Sequence, residues 1–408
     1  MSVSCVASSR LTAFVVALAL LLPTARASIN LFPPGQEWHP GTDGAFNPTA
    51  NVEIDLSQAV TGAWGMDNTA NAGKGVYDGQ KWAVVFKYSS VNIPAGVTVT
   101  FKNHHSRAPV VWLVDGNVTI NGLVNLNGKD GGWGSTALIE PGPGGFRGGS
   151  GITNCAGLGP GGASLLNYGR GNYASEQTGT LGKKYGNLAI VPLIGGSGGS
   201  YVSTQGGGGG GGAIAIACTG LLTLNGRIEA LGGRDPNSGD RYGSGGAVRL
   251  VSEAITGGSS GNILATAGGV GRIRIDCVGN TYAGGSNPQP TFSVASDPPV
   301  IWPTADLPGI EIRKIGARDV PADPHAGEDF PNHDVGVQTV EPLEVRLEAK
   351  NVPIDGSWKA YLRVVPRSGN DFTLDAVYVS GDISASIWQA TLNAPTGITF
   401  LQARAYKQ

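Results

Sequence analysis

A short pattern occurs three times in the middle of this chain and restricts its fold more than any other feature. Gly212-Ala213-Ile214-Ala215-Ile216-Ala217-Cys218 is followed 34 residues later by Gly246-Ala247-Val248-Arg249-Leu250-Val251-Ser252. After a further 25 residues comes Gly271-Arg272-Ile273-Arg274-Ile275-Asp276-Cys277. Each copy is a glycine followed by strict alternation. One face keeps Ile214, Ile216 and Cys218, then Val248, Leu250 and Ser252, then Ile273, Ile275 and Cys277. The other face varies among Ala, Arg, Val and Asp. Period two with one constant apolar face predicts half-buried strands, with Ile214, Ile216, Cys218, Val248, Leu250, Ile273, Ile275 and Cys277 in the core.

A second repeat lies beside the first. Val118-Thr119-Ile120-Asn121-Gly122-Leu123-Val124-Asn125-Leu126-Asn127-Gly128 matches Leu222 to Gly232 at a shift of 104 residues, and the same shift lays Val110, Trp112 and Val114 on Ile214, Ile216 and Cys218. A weaker third copy runs from Ile263 to Gly269. The Asn-Gly and Gly-Gly corners permit positive φ and hence sharp turns. Two folds accommodate this pattern, stacked coils of a parallel β-solenoid and antiparallel hairpins. The constant offset of the apolar face favours the solenoid.

Composition then divides the chain. It holds 66 glycines in 408 residues, of which 49 fall between Gly116 and Gly285. No Gly-X-Y period exists, which excludes collagen, and 40% hydrophobic residues in alternating runs argue against disorder. A formal charge of −2 speaks against nucleic acid as a partner. The expected class is all-β. Residues 28–286 form the glycine-rich solenoid, with 28–115 as N-terminal strands and 129–211 as a glycine-rich insertion. A proline-rich linker follows over 287–309. Over 310–408 an antiparallel β-sandwich of immunoglobulin or fibronectin type III kind is expected, with strands at Ile310–Ala317, Leu343–Ala349, Trp358–Val365, Phe372–Val379, Ala385–Leu392 and Ile398–Tyr406. The seven glycines Gly206 to Gly212 fit either a flexible linker or closely packed extended chain.

Residues 1–27 read as a secretory signal: Arg10, an apolar run from Leu11 to Leu22, Pro23, and Ala25-Arg26-Ala27 before the cleavage point. No later apolar stretch approaches 18 residues, so no transmembrane anchor is expected after signal removal. The mature protein is expected to be secreted or held at the cell surface.

Several segments carry a family likeness: Trp82 to Tyr88, Val91 to Val99, Pro141-Gly142-Pro143-Gly144-Gly145-Phe146-Arg147-Gly148-Gly149, Ile194 to Gly199, and Gly271 to Ile275. Together, over about Ala45 to Cys277, the chain resembles a group of exported glycine-rich bacterial proteins of uncharacterised function. The resemblance implies a secreted solenoid with an accessory β-domain and supplies no catalytic residues.

Signals for chemistry are sparse. Gly195-Gly196-Ser197-Gly198-Gly199 matches G-x-S-x-G but leads into polyglycine instead of a helix, so it is not read as a nucleophile elbow. Cys218 and Cys277 are expected two rungs apart, too far to bridge, and are read as small core residues, with pairing to Cys155 left open. Arg249, Arg272 and Arg274 fall on outward positions and could hold an anionic polysaccharide; a solvated face partly neutralised by Asp276 and Glu253 is the plainer reading. Asp323, His325, Glu328, Asp329, His333 and Asp334 could hold a divalent cation, although the spacing fits no established loop and a solvated linker is preferred. His104-His105 is expected in a turn. The acids Asp115, Glu229, Asp235, Asp240 and Asp276 form no evident pair for glycoside chemistry. The function expected is a non-enzymatic structural or adhesion protein, its partner a polysaccharide or other cell-surface polymer. The alternatives are a carbohydrate-binding adhesin using Tyr168, Tyr173 and Tyr242, and a polysaccharide lyase or hydrolase on a β-helix. No cofactor beyond a divalent cation is implied.

Overall fold

The computed structural model describes residues 29–31, 39–151, 153–167, 169–176, 181–201, 203–235, 241–296, 298–325, 327, 333–339 and 341–408. The signal segment, its cleavage point at Ala27, and Tyr168, Asp240, Glu328 and Asp329 lie outside them. The described chain is nearly all β, with short 3-10 turns and no α-helix. None of its helices is long and apolar enough to cross a membrane.

Three parallel ladders make up the first two-thirds. The first stacks Ala83–Tyr88, Val110–Val114, Ala213–Cys218, Ala247–Gly257, Arg272–Tyr282 and Thr291–Ser293. The second stacks Ser90–Ile93, Val118–Ile120, Leu221–Leu224 and the far half of Ala247–Gly257. The third stacks Val52–Asp55, Thr98–Lys102, Leu123–Asn125, Arg227–Glu229, Asn262–Leu264 and Gly285–Asn287. The registers follow the repeats: Val110 pairs with Ile214 and Trp112 with Ile216, Ala213 with Ala247, and Ala247 with Arg272. Inward residues of all three ladders meet in one core that includes Val84, Trp112, Ile216, Leu250 and Ile275, together with Ile214, Cys218, Val248, Ile273 and Cys277.

The strands flanking Asn121-Gly122 do not pair with each other but with copies above and below, so the corner is not a hairpin. Neither Gly122 nor Gly226 adopts positive φ. Both are needed for close approach: a Cβ on Gly226 would lie 2.0 Å from the Gly122 carbonyl oxygen. The asparagines stack with the corners. Asn225 Nδ2 donates to Asn121 Oδ1 at 3.0 Å, and the side-chain oxygens of Asn117 and Asn127 accept the amides of Leu221 and Leu231.

The insertion is built from backbone. Gly206, Gly209 and Gly212 donate their amides to the carbonyls of Gly132, Lys129 and Leu126. Gly207, Gly210 and Ala213 donate to Gly149, Phe146 and Pro143. Gly208 and Gly211 donate to Arg241 and Ser244. Every third residue therefore addresses the same neighbour, the three-residue turn of a polyproline II helix, whose amides all point outward. The carbonyls of Gly208 and Gly211 in turn accept from Gly199 and Gly196. A Cβ on Gly210 would lie 1.9 Å from the Gly196 oxygen, and one on Gly208 2.0 Å from the Gly233 oxygen. Of the two readings of the seven-glycine run, close packing is the one found.

The C-terminal part is an antiparallel seven-stranded sheet. Its long strands are Gly309–Ile315, Leu343–Lys350, Trp358–Pro366, Phe372–Gly381, Ser386–Leu392 and Thr399–Lys407. Phe372–Gly381 pairs with Trp358–Pro366 over its first half and with Ser386–Leu392 over its second, which folds the sheet around a core of Val345, Leu347, Leu362, Val364 and Trp388. The tail was expected to stand apart, but it docks on the glycine insertion. Arg363, buried, donates to the carbonyls of Gly157 and Gly159 at 3.0 and 3.2 Å and pairs with Asp371 at 2.9 Å. Asp371 also accepts from Ser164 Oγ and the Leu165 amide. Leu138, Cys155, Leu158, Leu165, Val365 and Phe400 close the joint with an apolar cluster. The expected linker is likewise tied in, because Thr291–Ser293 is the last rung of the first ladder and Trp302 packs edge-on against Trp64 at 5.7 Å.

These contacts separate two kinds of glycine. Gly210→Ala must move backbone on both strands and is expected to destabilise the chain by more than about 3 kcal/mol. Gly132→Ala, where nothing lies within 4 Å of the new methyl, is expected to be nearly neutral. Urea unfolding of the two variants checks this; equal midpoints would contradict the packed-backbone account.

Candidate functional site

The outward positions of the first ladder come first, because the arginines lie there. Arg249 and Arg274 are stacked neighbours, as the repeat requires. They do not form a solvated face. Arg249 is buried, and its Nε and Nη2 reach Asp276 Oδ2 at 3.0 and 2.9 Å. Arg274 holds the other oxygen of the same carboxylate at 2.8 Å and reaches the Leu188 carbonyl. Arg272 donates to the Tyr185 carbonyl at 2.9 Å and lies over the Tyr173 ring. The physical reason is a second core. Ala213, Ala215, Ala217, Val111, Leu113 and Val251 make this face apolar too, and Tyr173, Tyr185, Ile190 and Leu193 of the insertion cover it. Tyr173, expected as an exposed sugar-stacking ring, is fully buried and stacked on Tyr185 at 4.5 Å. Tyr242 is half-buried beside a cleft of about 360 Å³ that it shares with Arg234 and Thr266.

The remaining candidates fall into place similarly. Asp235 is buried and pairs with Arg241 at 2.9 Å. Ser197 is buried; its hydroxyl donates to the Tyr185 phenol oxygen at 3.0 Å and accepts from the Gly161 amide. Cys155, Cys218 and Cys277 are all buried, and Cys218 and Cys277 are free thiols. Burial pushes the Cys218 thiol up to about 12, far from the range of a reactive thiolate.

Among the described residues, two further features gather polar groups toward solvent. The larger is an open cleft of about 500 Å³ between the third ladder and the proline-glycine stretch. Its floor carries Phe101, Asn103, Asn125 and Asn127, with Lys102 and Lys129 at the rim. Glu53 and Glu140 also line it. Glu140 is occupied by the Arg107 guanidinium and by Asn103 Nδ2 at 3.2 Å. Lys102 pairs with Asp55 at 2.8 Å. Asn103 Oδ1 is buried with no hydrogen-bond partner.

The second feature adjoins that cleft. His104 and His105 lie in the turn between Thr98–Lys102 and Val110–Val114. Tyr77, on Val76–Asp78, stacks on His104 at 4.0 Å; His104 stacks on His105 at 3.8 Å. His325, from the connection between Gly309–Ile315 and Leu343–Lys350 of the C-terminal sheet, meets His105 edge-on at 4.0 Å. Asp323 completes the group: it accepts from Tyr77 Oη at 2.5 Å through Oδ1 and lies 3.3 Å from His325 Nε2 through Oδ2. The ligating atoms of His105, Asp323 and His325 all lie within 4.8 Å of one another. Of the cation ligands expected from sequence, Asp323 and His325 are thus brought together. Asp334 instead accepts the His325 amide at 2.7 Å, and the His333 ring lies against Gly336. His105 and Tyr77 were not among the expected ligands. Histidine pairs in turns are common, and nothing in the sequence ties position 77 to position 323.

Burial, reinforced by neighbouring His105, lowers His104 to about 4. Burial and then the nearby His325 pull His105 down as well. Both imidazoles are therefore neutral at pH 7, and the exposed His105 ring offers a nitrogen lone pair for ligation. Burial, then the hydrogen bond to Asp323, holds the Tyr77 phenol above its ordinary range.

A stability profile follows from His104. Its pKa is depressed in the folded chain, so on acidification the unfolded chain binds the proton first. In the presence of a chelator, the urea midpoint is expected to fall as the pH drops from 6.5 through about 4. His104→Asn is expected to flatten the upper part of that slope. A wild-type midpoint unchanged over this range would contradict a buried neutral imidazole.

Comparison with protein-family models, with curated proteins and with solved structures finds no match to this chain. What the protein does is therefore argued from its own geometry.

Proposed function

We propose that this chain is an exported structural and adhesion protein that grips an extracellular polymer, a polysaccharide by the chemistry of its open cleft. In this reading the three ladders are the faces of a parallel β-solenoid. The C-terminal sheet is a β-sandwich of immunoglobulin or fibronectin type III kind, and residues 1–27 direct export. The observation that carries it is the joining of ladders, glycine bundle and C-terminal sheet by backbone hydrogen bonds and buried arginines, with a polar cleft left open on the outside. The period-three amide pattern of Gly206 to Gly212 and the Arg363 clamp both serve that rigidity. A stiff body suits load-bearing attachment, because little ordering entropy is lost when it binds.

The cleft supplies the adhesive chemistry. The Asn125 amide beside the half-buried Phe101 ring matches the mixed hydroxyl and C–H surface of a sugar, while Asn127 is held by Leu231 and Glu229 and Asn103 by Glu140 and Pro141. Lys129, exposed at the rim, adds attraction for acidic sugars. The degradative alternative has a narrower footing. Glu53 and Glu140 share the cleft, but Glu140 is held by Arg107 and Asn103, which leaves Glu53 without a free partner acid on the opposite wall.

A panel of immobilised neutral and acidic polysaccharides tests the proposal. The chain is expected to bind at least one acidic polymer, and Lys129→Glu to weaken that binding about tenfold with unchanged melting. No binding by folded protein would overturn the adhesive role. Release of new reducing ends, abolished by Glu53→Gln, would establish an enzyme instead.

A further inference from the structure

We propose that His105, Asp323 and His325 form a binding site for one zinc(II) ion, which fastens the connection between Gly309–Ile315 and Leu343–Lys350 of the C-terminal sheet to the turn between the third and first ladders. The inference does not depend on the adhesive reading. Asp323 and His325, two positions apart, and the remote His105 present two nitrogens and one carboxylate oxygen within 4.8 Å of one another. His325 Nε2 and Asp323 Oδ2 already stand 3.3 Å apart. Tetrahedral ligands about 2.0–2.1 Å from zinc stand roughly 3.4 Å apart, so one edge of the polyhedron is in place. His105 need only draw in by a side-chain adjustment.

The surroundings orient each ligand, as the outer shell of a metal site does. Tyr77 Oη donates to Asp323 Oδ1 and leaves Oδ2 facing the imidazoles. The Tyr77 and His104 rings stack in series beneath His105 and set its plane. Asp334 anchors the His325 backbone. Arg107, the nearest guanidinium to His105 in sequence, is neutralised by Glu140 and donates through Nη1 to the His105 carbonyl at 3.1 Å, which holds the backbone of that ligand. His104 itself is buried, and its Nδ1 is taken by Ser106 Oγ at 2.8 Å, so it packs and does not ligate.

The donor set selects the ion. Calcium and magnesium require six or more oxygens, whereas two imidazoles and a carboxylate suit zinc and its first-row neighbours. His105 is exposed and Asp323 and His325 are half-buried, so the fourth position opens to water. The group is a His₂Asp clasp with one exchangeable place.

The test uses the purified chain without a polyhistidine tag, stripped with chelator and titrated with zinc chloride. Equilibrium dialysis with elemental analysis is expected to give one zinc per chain at micromolar free metal or tighter, of the order of structural and exchangeable zinc sites. Calcium at millimolar concentration is expected not to compete. His325→Asn and His105→Asn are each expected to weaken binding about 100-fold, and Tyr77→Phe about tenfold, with zinc no longer raising the melting temperature of the histidine variants. Cobalt(II) substitution gives a readout on the unaltered chain: visible d–d bands without thiolate charge transfer are expected. Zinc binding unchanged in the His105→Asn/His325→Asn double variant would overturn the assignment. So would thiolate bands in the cobalt spectrum, or no binding by the folded wild-type chain below about 100 µM free zinc.

Discussion

The hydrogen bonds of one extended glycine run hold the molecule's layers together. Gly206 to Gly212 contribute no apolar side chain, so the hydrophobic effect cannot order them directly, and glycine loses more conformational entropy on folding than any other residue. What offsets this is satisfaction of amides in three directions at once, to the segments around Leu126–Gly132, Pro143–Gly149 and Arg241–Ser244. Each bond contributes only about 1 kcal/mol net. The bundle is therefore sustained by shelter as well. The apolar clusters around Leu113 and Tyr185 and around Leu158 and Phe400 lie beside it, and exclusion of water raises the penalty of breaking any one bond. Polyglycine that would be a loose linker in solvent becomes ordered when it is walled in.

The same shelter explains the two-sided first ladder. Strands buried on both faces lose the clean polar alternation of a half-exposed sheet, and Ala213, Ala215 and Ala217 opposite Ile214 and Ile216 show that loss. Small residues on the outer side let the insertion approach closely. Where the outer side carries charge, as at Arg249, the charge is neutralised within the layer: Asp276 takes two arginines on its two oxygens. Removing Asp276 would leave the buried Arg249 guanidinium without its counter-charge, which costs far more than the intact pair contributes.

Much of the first half could be read from residues alone, because its strands are copies. Registers at shifts of 104, 34 and 25 residues lay Val110 on Ile214, Ala213 on Ala247 and Ala247 on Arg272, as the pairing has them. The tail strands were legible for a different reason, since their turns carry glycine and asparagine at regular spacing, and Leu343–Lys350 and Trp358–Pro366 lie within a residue of their expected bounds. The insertion was not legible. Period-three backbone pairing leaves no side-chain signature, since every position is glycine whichever neighbour it faces. That also hid the burial of Tyr173 and of the arginine row. The histidine cluster was half legible. Asp323 and His325 stand in one acidic stretch, but His105 and Tyr77 reach them only through three-dimensional folding.

The docking of the C-terminal sheet bears on how force would pass through the protein. Arg363 sits on a central strand, and its guanidinium reaches three carbonyls of the insertion while holding Asp371. Arg404 reaches Pro160 and Lys184 from the neighbouring strand. A planar cation with five donors can bridge separate backbone segments in a way lysine cannot. A pull on the tail is thus delivered to several strands of the glycine bundle together, and from them through Gly212 and Ala213 into the first ladder. The histidine and aspartate group ties the connection between Gly309–Ile315 and Leu343–Lys350 to the ladders by a second route. Two separate attachment points restrain rotation as well as separation. That is a mechanical reason for a chain so rich in glycine to be built as one braced body.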